Sequence, residues 1–528
     1  MNRSLIKKAA VPLLGLAALC FCTEISARKL VILHTNDTHS AVEPAADGTG
    51  GALQRKAIID SVRNAERDVI TVDAGDMVQG SLFFKYFRGD VEYPLMNMTG
   101  YDIRVLGNHE FDNGMKDLAE QYRKVKGCPL SANYDFSGTE LEGIFKPYVI
   151  KKVGGKKIGF FGLNVDPVSL ISSKNIDVRF KDIIPVANET AAFLKKRKKC
   201  DLVVAVTHIG YTASNGKTTD VDLARASRDI DIIIGGHSHT LVDPAHPEKY
   251  PSLIPNADGR PVRVVQTGKY GRYVGKLTVD LDSLEGADGE DFAYELIPVT
   301  DRFPEEKLDR AMIDFLRPYK EVVDSVDSRV IGRSLYDMSK GKGHWGQANL
   351  TADFGLWYGN HKADSIRAAG NNMPRVDLAI MNVGGIRQDM HEGDITEGQI
   401  LSTYPFSNHF VIMELKGSDL AEAMKVAARR GGEAVSHNVR VLTDAEGNYL
   451  KMIIDGKEID PDHTYCVATI DYLAEGNDDM VTLANHKKLW TDEVEVAAPI
   501  LRWFESQGET GLPIAPDPTP RFLKAISL

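Results

Sequence analysis

From residue 29 to about residue 300 one pattern recurs along the chain. A short β-branched apolar run ends abruptly in a polar, glycine-containing loop, and a stretch with helical spacing commonly follows. The clearest runs are residues 30–33, 69–72, 103–106, 158–161, 202–206 and 230–234. Near-continuous apolar segments of this length predict strands buried on both faces. Between them, residues 52–65, 115–125 and 185–198 predict helices, and the alternation means an α/β domain whose helices cover its sheets. Residues 262–266 and 274–281 read as antiparallel strands that finish a second sheet. An acidic, glycine-containing loop is expected at 282–292. Leu308, Met312, Phe315, Leu316 and Tyr319 recur at helical spacing and predict a helix between two domains. Beyond about residue 328 the α/β pattern begins again at 348–358 and 376–381, with no repeat linking the halves.

A chain of 528 residues exceeds one ordinary core, so two domains are expected. The division is 1–27 as a leader, 29–300 as a catalytic domain, 301–327 as a linker helix and 328–528 as a second domain. Arg3, Lys7 and Lys8 precede an apolar run at 9–21 that is too short to span a bilayer. This predicts an export signal cut near Ala27, and so a periplasmic or extracellular protein. Cys20 and Cys22 lack the small-residue pattern that lipid attachment favours, which leaves a lipoprotein as the lesser alternative. No later stretch is long and apolar enough for a transmembrane anchor. Beyond the leader only Cys128, Cys200 and Cys466 remain, enough for one disulfide at most. Monomer and homodimer are both open.

Charge narrows the function. Lys+Arg 63 against Asp+Glu 74 gives −11, which argues against a partner that is a nucleic acid polymer. Small anions are not excluded, because bound metal ions reverse a local field.

Five of the predicted strands end in metal-binding residue types. They lead into His34-Thr35-Asn36-Asp37-Thr38-His39, Asp73-Ala74-Gly75-Asp76, Gly107-Asn108-His109-Glu110, Thr207-His208 and Gly235-Gly236-His237-Ser238-His239. Sites in open α/β sheets lie beyond the carboxyl ends of strands, so all five loops can converge on one crevice. Carboxylate, amide and imidazole donors without thiolates suit Zn, Mn, Fe or Co and argue against a closed structural zinc site. A carboxylate such as Asp76 can bridge two ions. One histidine after one strand is usually structural; five strand ends with the same chemistry are poorly explained by chance. His34 falls inside its strand and reads as core or as support for the ligands. His109 and Asp112 are three residues apart, and if their segment opens a helix they share a face and can hydrogen-bond.

These motifs, HTNDTH, GDMVQG, GNHEFD, THIG and GGHSHT, closely resemble those of the calcineurin-like metallophosphoesterases, specifically the exported 5′-nucleotidase and UDP-sugar hydrolase family. The resemblance implies an N-terminal four-layer β-sandwich flanked by helices and a C-terminal α/β substrate-binding domain. It implies two divalent ions (Zn, Mn, Co or Mg). One would be held by Asp37, His39, Asp76 and His239, the other by Asp76, Asn108, His208 and His237. It further implies attack by a metal-bound water on a nucleotide, with His109 stabilising the phosphoryl charge and Asp112 orienting it. Asp112 leans towards 5′-phosphoesters, since the cyclic-phosphodiesterase/3′-nucleotidase branch typically carries Asn there.

In the second domain, Arg387 stands on a glycine-rich loop begun by Asn382, while Phe406 and Tyr472 offer aromatic faces. The resemblance makes Phe406 and Tyr472 a nucleobase sandwich and puts ribose and phosphate contacts at Arg387, Asn408 and Asp478. Two departures bear on substrate detail. Asn477 and Asp479 flank Asp478 where glycine is common, and Lys340, Lys342 and His344 stand where arginines are usual. UDP-sugar or dinucleotide hydrolysis, cyclic phosphodiesterase activity, and a non-catalytic nucleotide-binding surface protein are the alternatives. The resemblance also implies that the second domain rotates to carry nucleotide to the metals.

Overall fold

The computed structural model describes residues 28–166, 178–212, 217–284, 292–341 and 344–525. The leader and Lys342 lie outside these residues. The ligand-bearing runs are strands: β1 (Lys29–Thr35), β2 (Val69–Asp73), β3 (Ile103–Val105), β4 (Leu202–His208) and β5 (Ile232–Ile234). They divide between two six-stranded sheets. In the first, β1, β2 and β3 are parallel neighbours, continued by Cys128–Leu130. In the second, β4 and β5 run parallel beside Lys156–Asn164.

Alternation along each strand explains the layering, because successive side chains face opposite sides. Leu30 and Ile32 of β1 and Ile70 and Val72 of β2 meet Leu202, Val204, Ile232 and Ile234 of the other sheet in one apolar cluster. The residues between them point outwards: Val31 and Leu33 pack with Ile58, Ile59 and Leu118, while Val203 and Ile233 pack with Ala187 and Leu223. The result is helix, sheet, sheet, helix. His34 is fully buried, stacked 5.9 Å from the Tyr294 ring and packed against Gly275.

The two late strands differ from expectation. Pro261–Val265 is parallel to β5 and antiparallel only to Leu253–Pro255, so it extends the second sheet. Tyr273–Asp280 instead crosses to the first sheet and pairs antiparallel with β1. Its alternating pattern signals a strand with unequal faces, but nothing local says which sheet edge is open to it.

The linker helix is Arg310–Asp327, with Asp309 capping it by accepting from the Met312 amide at 3.0 Å. Its Met312, Leu316 and Val323 join a cluster that contains Leu82 and Phe83 from the first domain and Ile395 and Ile400 from the second. The second domain holds a five-stranded sheet, with Leu378–Met381, Thr464–Ile470 and His409–Lys416 adjacent in that order, and a separate four-stranded sheet. Helix Gly346–Ala368 covers the larger sheet. Cys128, Cys200 and Cys466 are free thiols. Among the described residues no helix is long and apolar enough to cross a membrane.

Candidate metal centre and substrate cleft

The loops that follow β1, β2 and β5 leave their strands with unusual backbone. Asp37, His39, Asp76, His237 and His239 have φ of 49°, 45°, 54°, 80° and 55°. Non-glycine residues adopt this left-handed region at a cost and only where surroundings hold them, and such residues cluster at functional sites. Cross-links between the loops do the holding. The Asp37 amide donates to Gly75 O and the His39 amide to Asp76 O, both at 2.9 Å. Asn36 grips Asp37 Oδ2 and Gly268 O through Nδ2, while its Oδ1 accepts from the Thr267 amide.

Glycine is required where the loops touch. Gly75 has φ 89°, and a Cβ there would lie 2.6 Å from Gly107 N and 2.8 Å from His208 Nδ1. Gly75→Ala is therefore expected to cost about 3 kcal/mol, combining left-handed strain with overpacking. Urea unfolding would measure that loss, and elemental analysis should show reduced metal content.

Convergence of the side chains is tight. Ligand atoms of Asp37, His39 and His239 lie within 4.8 Å of one another, and so do those of Asp76, His208 and His237. A third group of the same size is His39, Asp76 and His109, so Asp76 faces both sides of the cluster. Asn108 Oδ1 stands 2.9 Å from His237 Nδ1. His39 Nε2 and His239 Nε2 are 2.9 Å apart, a separation at which two lone pairs need a positive centre or a shared proton.

This donor set fits divalent metal. His208 Nδ1–H donates to Ala74 O at 2.7 Å, which fixes the tautomer and turns the lone pair of Nε2 towards Asp76 Oδ2, 3.1 Å away. Burial works to lower the His208 pKa, yet Asp76 and Asp37 overcome it and drive it up to about 10. The carboxylates thus demand a cation at that point. Burial holds His237 and His239 down at about 3 and His39 well below its ordinary value, so these imidazoles are neutral and available as ligands.

Beside the cluster, His109 opens a short 3-10 turn, His109–Phe111, that Asp112 follows, with His109 Nδ1 2.9 Å from Asp112 Oδ2. Burial lowers the His109 pKa, but Asp112 and Asp76 outweigh it and the net direction is up. The His109 amide also donates to Asp76 Oδ1 at 2.9 Å. Glu110, given no role by the sequence, ties the motifs together. Its carboxylate accepts from the amides of Asp76 (3.1 Å), Met77 (2.9 Å) and Gly107 (2.6 Å). Burial, then Asp76, pushes its pKa up to about 8. The only signal in the sequence was its place inside GNHEFD; its inward direction follows from the turn.

A cleft of about 1020 Å³ opens from His109, Asn108 and His237 and continues along the second domain. Asn382, Arg387, Phe406, Asn408, Tyr472 and Asp478 all line it. The Phe406 ring stacks 6.0 Å from His109, and the Arg387 guanidinium lies 5.4 Å from the Phe406 ring centre. Asn408 Nδ2 donates to Asp471 Oδ1 at 3.0 Å. Asp478 and Asp479 take φ of 57° and 59°, so of the two positions where glycine is common only Asp479 is left-handed, and Asn477 is not. Lys340 donates to Ile386 O beside Arg387, and burial with Arg387 nearby lowers its pKa to about 8.

Comparison with known proteins agrees with this geometry. The calcineurin-like phosphoesterase family model matches residues 30–241, and that of the 5′-nucleotidase C-terminal domain matches residues 337–485. A Vibrio cholerae 5′-nucleotidase is 29% identical over 532 residues, covering 92% of this chain and 93% of that protein. The trifunctional nucleotide phosphoesterase protein YfkN of Bacillus subtilis is 29% identical over 508 residues, but this chain spans only 32% of its length. The crystal structure of a 5′-nucleotidase precursor from Thermus thermophilus superposes with a TM-score of 0.79 at 27% identity, covering 95% of this chain and all of that one. The chain belongs to the calcineurin-like metallophosphoesterases of the 5′-nucleotidase type and is a metal-dependent phosphoester hydrolase.

Proposed function

We propose that this chain is an exported 5′-nucleotidase that releases phosphate from nucleoside 5′-monophosphates. Residues 29–300 carry the chemistry, 301–327 connect, and 328–528 hold the nucleoside. One observation carries the reading: His109 and His237, the edge of the Asp/His cluster, line one cleft together with the aromatic and cationic residues of the second domain. Export rests on the basic and apolar N-terminal segment.

Asp37, His39, Asp76 and His239 would hold one divalent ion, and Asp76, Asn108, His208 and His237 a second. When bound, such ions supply Lewis acidity towards phosphoryl oxygens and acidify a water for attack. The protein groups do the rest. Phosphoryl transfer asks chiefly for positioning and charge stabilisation, so no nucleophilic side chain is needed. His109, with Nδ1 engaged by Asp112, keeps Nε2 to hold a proton near the leaving oxygen. Arg387 meets the phosphate, and Phe406 and Tyr472 stack on the base, a contact that tolerates any base because every base has a π-face.

The test is a phosphate-release panel on the metal-supplemented full chain. It compares 5′-AMP, 3′-AMP, UDP-glucose, a 2′,3′-cyclic nucleotide and p-nitrophenyl phosphate, with a chelator control. Turnover of 5′-AMP that chelator abolishes is expected; activity on 3′-AMP but not 5′-AMP would overturn the 5′ assignment. Phe406→Ala should lower kcat/KM for 5′-AMP about tenfold or more relative to p-nitrophenyl phosphate, the loss of one stacking platform. Equal losses on both esters would remove Phe406 from base recognition.

A further inference from the structure

Helix Gly417–Arg429 ends in a turn, Arg430-Gly431-Gly432-Glu433, whose glycines take φ of 94° and 123°. The turn throws two charged side chains towards the cleft wall. Arg430 Nη1 donates to the backbone carbonyl of Asp478 at 2.8 Å, and its Nη2 donates to Asp478 Oδ1 at 3.3 Å. One guanidinium thus grips a single residue at main chain and side chain together, which the fork of an arginine permits and the point charge of a lysine does not. Asp478 is the residue that needs gripping. It and Asp479 are consecutive left-handed non-glycine residues, and its carboxylate collects donors from separate segments. Tyr472 Oη donates to Oδ1 at 3.3 Å, and Asn382 Nδ2 donates to Oδ2 at 3.4 Å.

Glu433 works from the other end of the turn. It is 4% exposed, and its Oε1 accepts from the Val383 amide and, at 3.3 Å, from the Ala434 amide. Val383 follows Asn382 on the loop that carries Arg387. The two charged residues of one turn therefore reach both segments that face the nucleoside: the Tyr472–Asp478 wall and the Asn382–Arg387 loop. Arg430 also lines the cleft itself, where it balances Asp478, Asp479 and Glu433 beside a site for an anionic substrate.

We propose that Arg430 and Glu433 are positioning residues of the substrate half of the cleft, bracing Asp478 and the Asn382 loop from the turn that ends helix Gly417–Arg429. The proposal rests on the reading that a nucleoside fills this part of the cleft. It assigns substrate affinity to residues that stand outside every motif noted in the sequence.

The experiment measures KM and kcat for 5′-AMP and for p-nitrophenyl phosphate on the manganese-supplemented full chain, with melting temperatures alongside. Arg430→Met should raise KM for 5′-AMP about tenfold with kcat within about twofold, as expected when a charge-assisted contact that supports binding is lost. The ratio of kcat/KM for 5′-AMP to that for p-nitrophenyl phosphate should fall by the same factor. Arg430→Lys should recover only part of it. Glu433→Ala should lower the ratio too, while Glu433→Gln, whose amide oxygen still accepts the Val383 N–H, should restore most of it. If Glu433→Ala does not fold, the Arg430 pair and Glu433→Gln still decide the matter. An unchanged ratio in Arg430→Met, or loss of kcat at constant KM, would overturn the brace. A ratio lowered by Phe406→Ala but not by Arg430→Met overturns the brace alone; a ratio lowered by neither overturns the nucleoside reading with it.

Discussion

Asp76→Asn is expected to lower kcat/KM for phosphoester hydrolysis at least about 10³-fold, beyond the 10–100-fold typical of residues that only support a metal ligand. Asp76 faces both sides of the cluster, within ligand range of His208 and His237 and of His39 and His109. It is 2% exposed, and its pKa stays well below the ordinary carboxylate value although burial opposes this, because His208 and His109 stand beside it. An amide of the same shape keeps the packing but removes the charge that these four imidazoles surround. His208 would be left with Asp37 Oδ1, 3.9 Å away, as its nearest carboxylate. Elemental analysis of the purified variant should show metal content reduced relative to the parent. A variant retaining full metal and more than about a tenth of the parent activity would sink the bridging role.

His109→Asn should cost about 10²–10³-fold in kcat with KM changed only a few-fold, the range for a positioned proton donor or charge-stabilising group. Its ring is held by Asp112 at Nδ1 and by the Phe406 ring stacked 6.0 Å away, while its backbone amide donates to Asp76 Oδ1. Asp112→Asn should cost less, because the amide oxygen can still accept from Nδ1–H while the negative charge is lost. In a double-mutant cycle, the pair should lose little more than His109→Asn alone, since Asp112 acts through the imidazole. Fully additive losses would show that Asp112 works independently. Single-turnover measurement with 5′-AMP separates the chemical step from product release and is the appropriate readout.

Much of the first domain was legible because its strands are buried on both faces and therefore read as unbroken apolar runs. Residues 30–33, 69–72 and 202–206 each lie within an observed strand. Helix 52–65 coincides with the observed Ala52–Ala65. The linker helix was visible from Met312, Leu316 and Tyr319 at i, i+4 and i+7, although it begins at Arg310 rather than at 301. What failed was pairing. Pro261–Val265 and Tyr273–Asp280 were recognised as strands, yet they belong to different sheets. A strand's period states which residues share a face, not which partner offers free hydrogen-bonding groups.

The site divides in the same way. Residue types at strand ends, with glycines beside them, were enough to single out Asp37, His39, Asp76, Asn108, His208, His237 and His239 as candidate ligands, because metal chemistry restricts donors to a few side chains. The order of the motifs along the chain carried the rest of that inference. Glu110, Arg430 and Glu433 could not be singled out this way. Charged residues are common at turns, and only the folded chain turns the carboxylate of Glu110 onto three backbone amides or brings Arg430 onto Asp478, 48 residues away. The cleft shared by Phe406 and His109 is likewise a tertiary fact, since these residues lie in different domains. The sequence by itself determined the alternation of strands and helices and a candidate donor set, which follow from local periodicity and the chemistry of residue types, while the reaction class came with the resemblance of its motifs to a known family. The tertiary structure decided sheet membership, the braces beneath the ligands and the joining of metal cluster to substrate wall, because each depends on contacts between segments that local pattern does not encode.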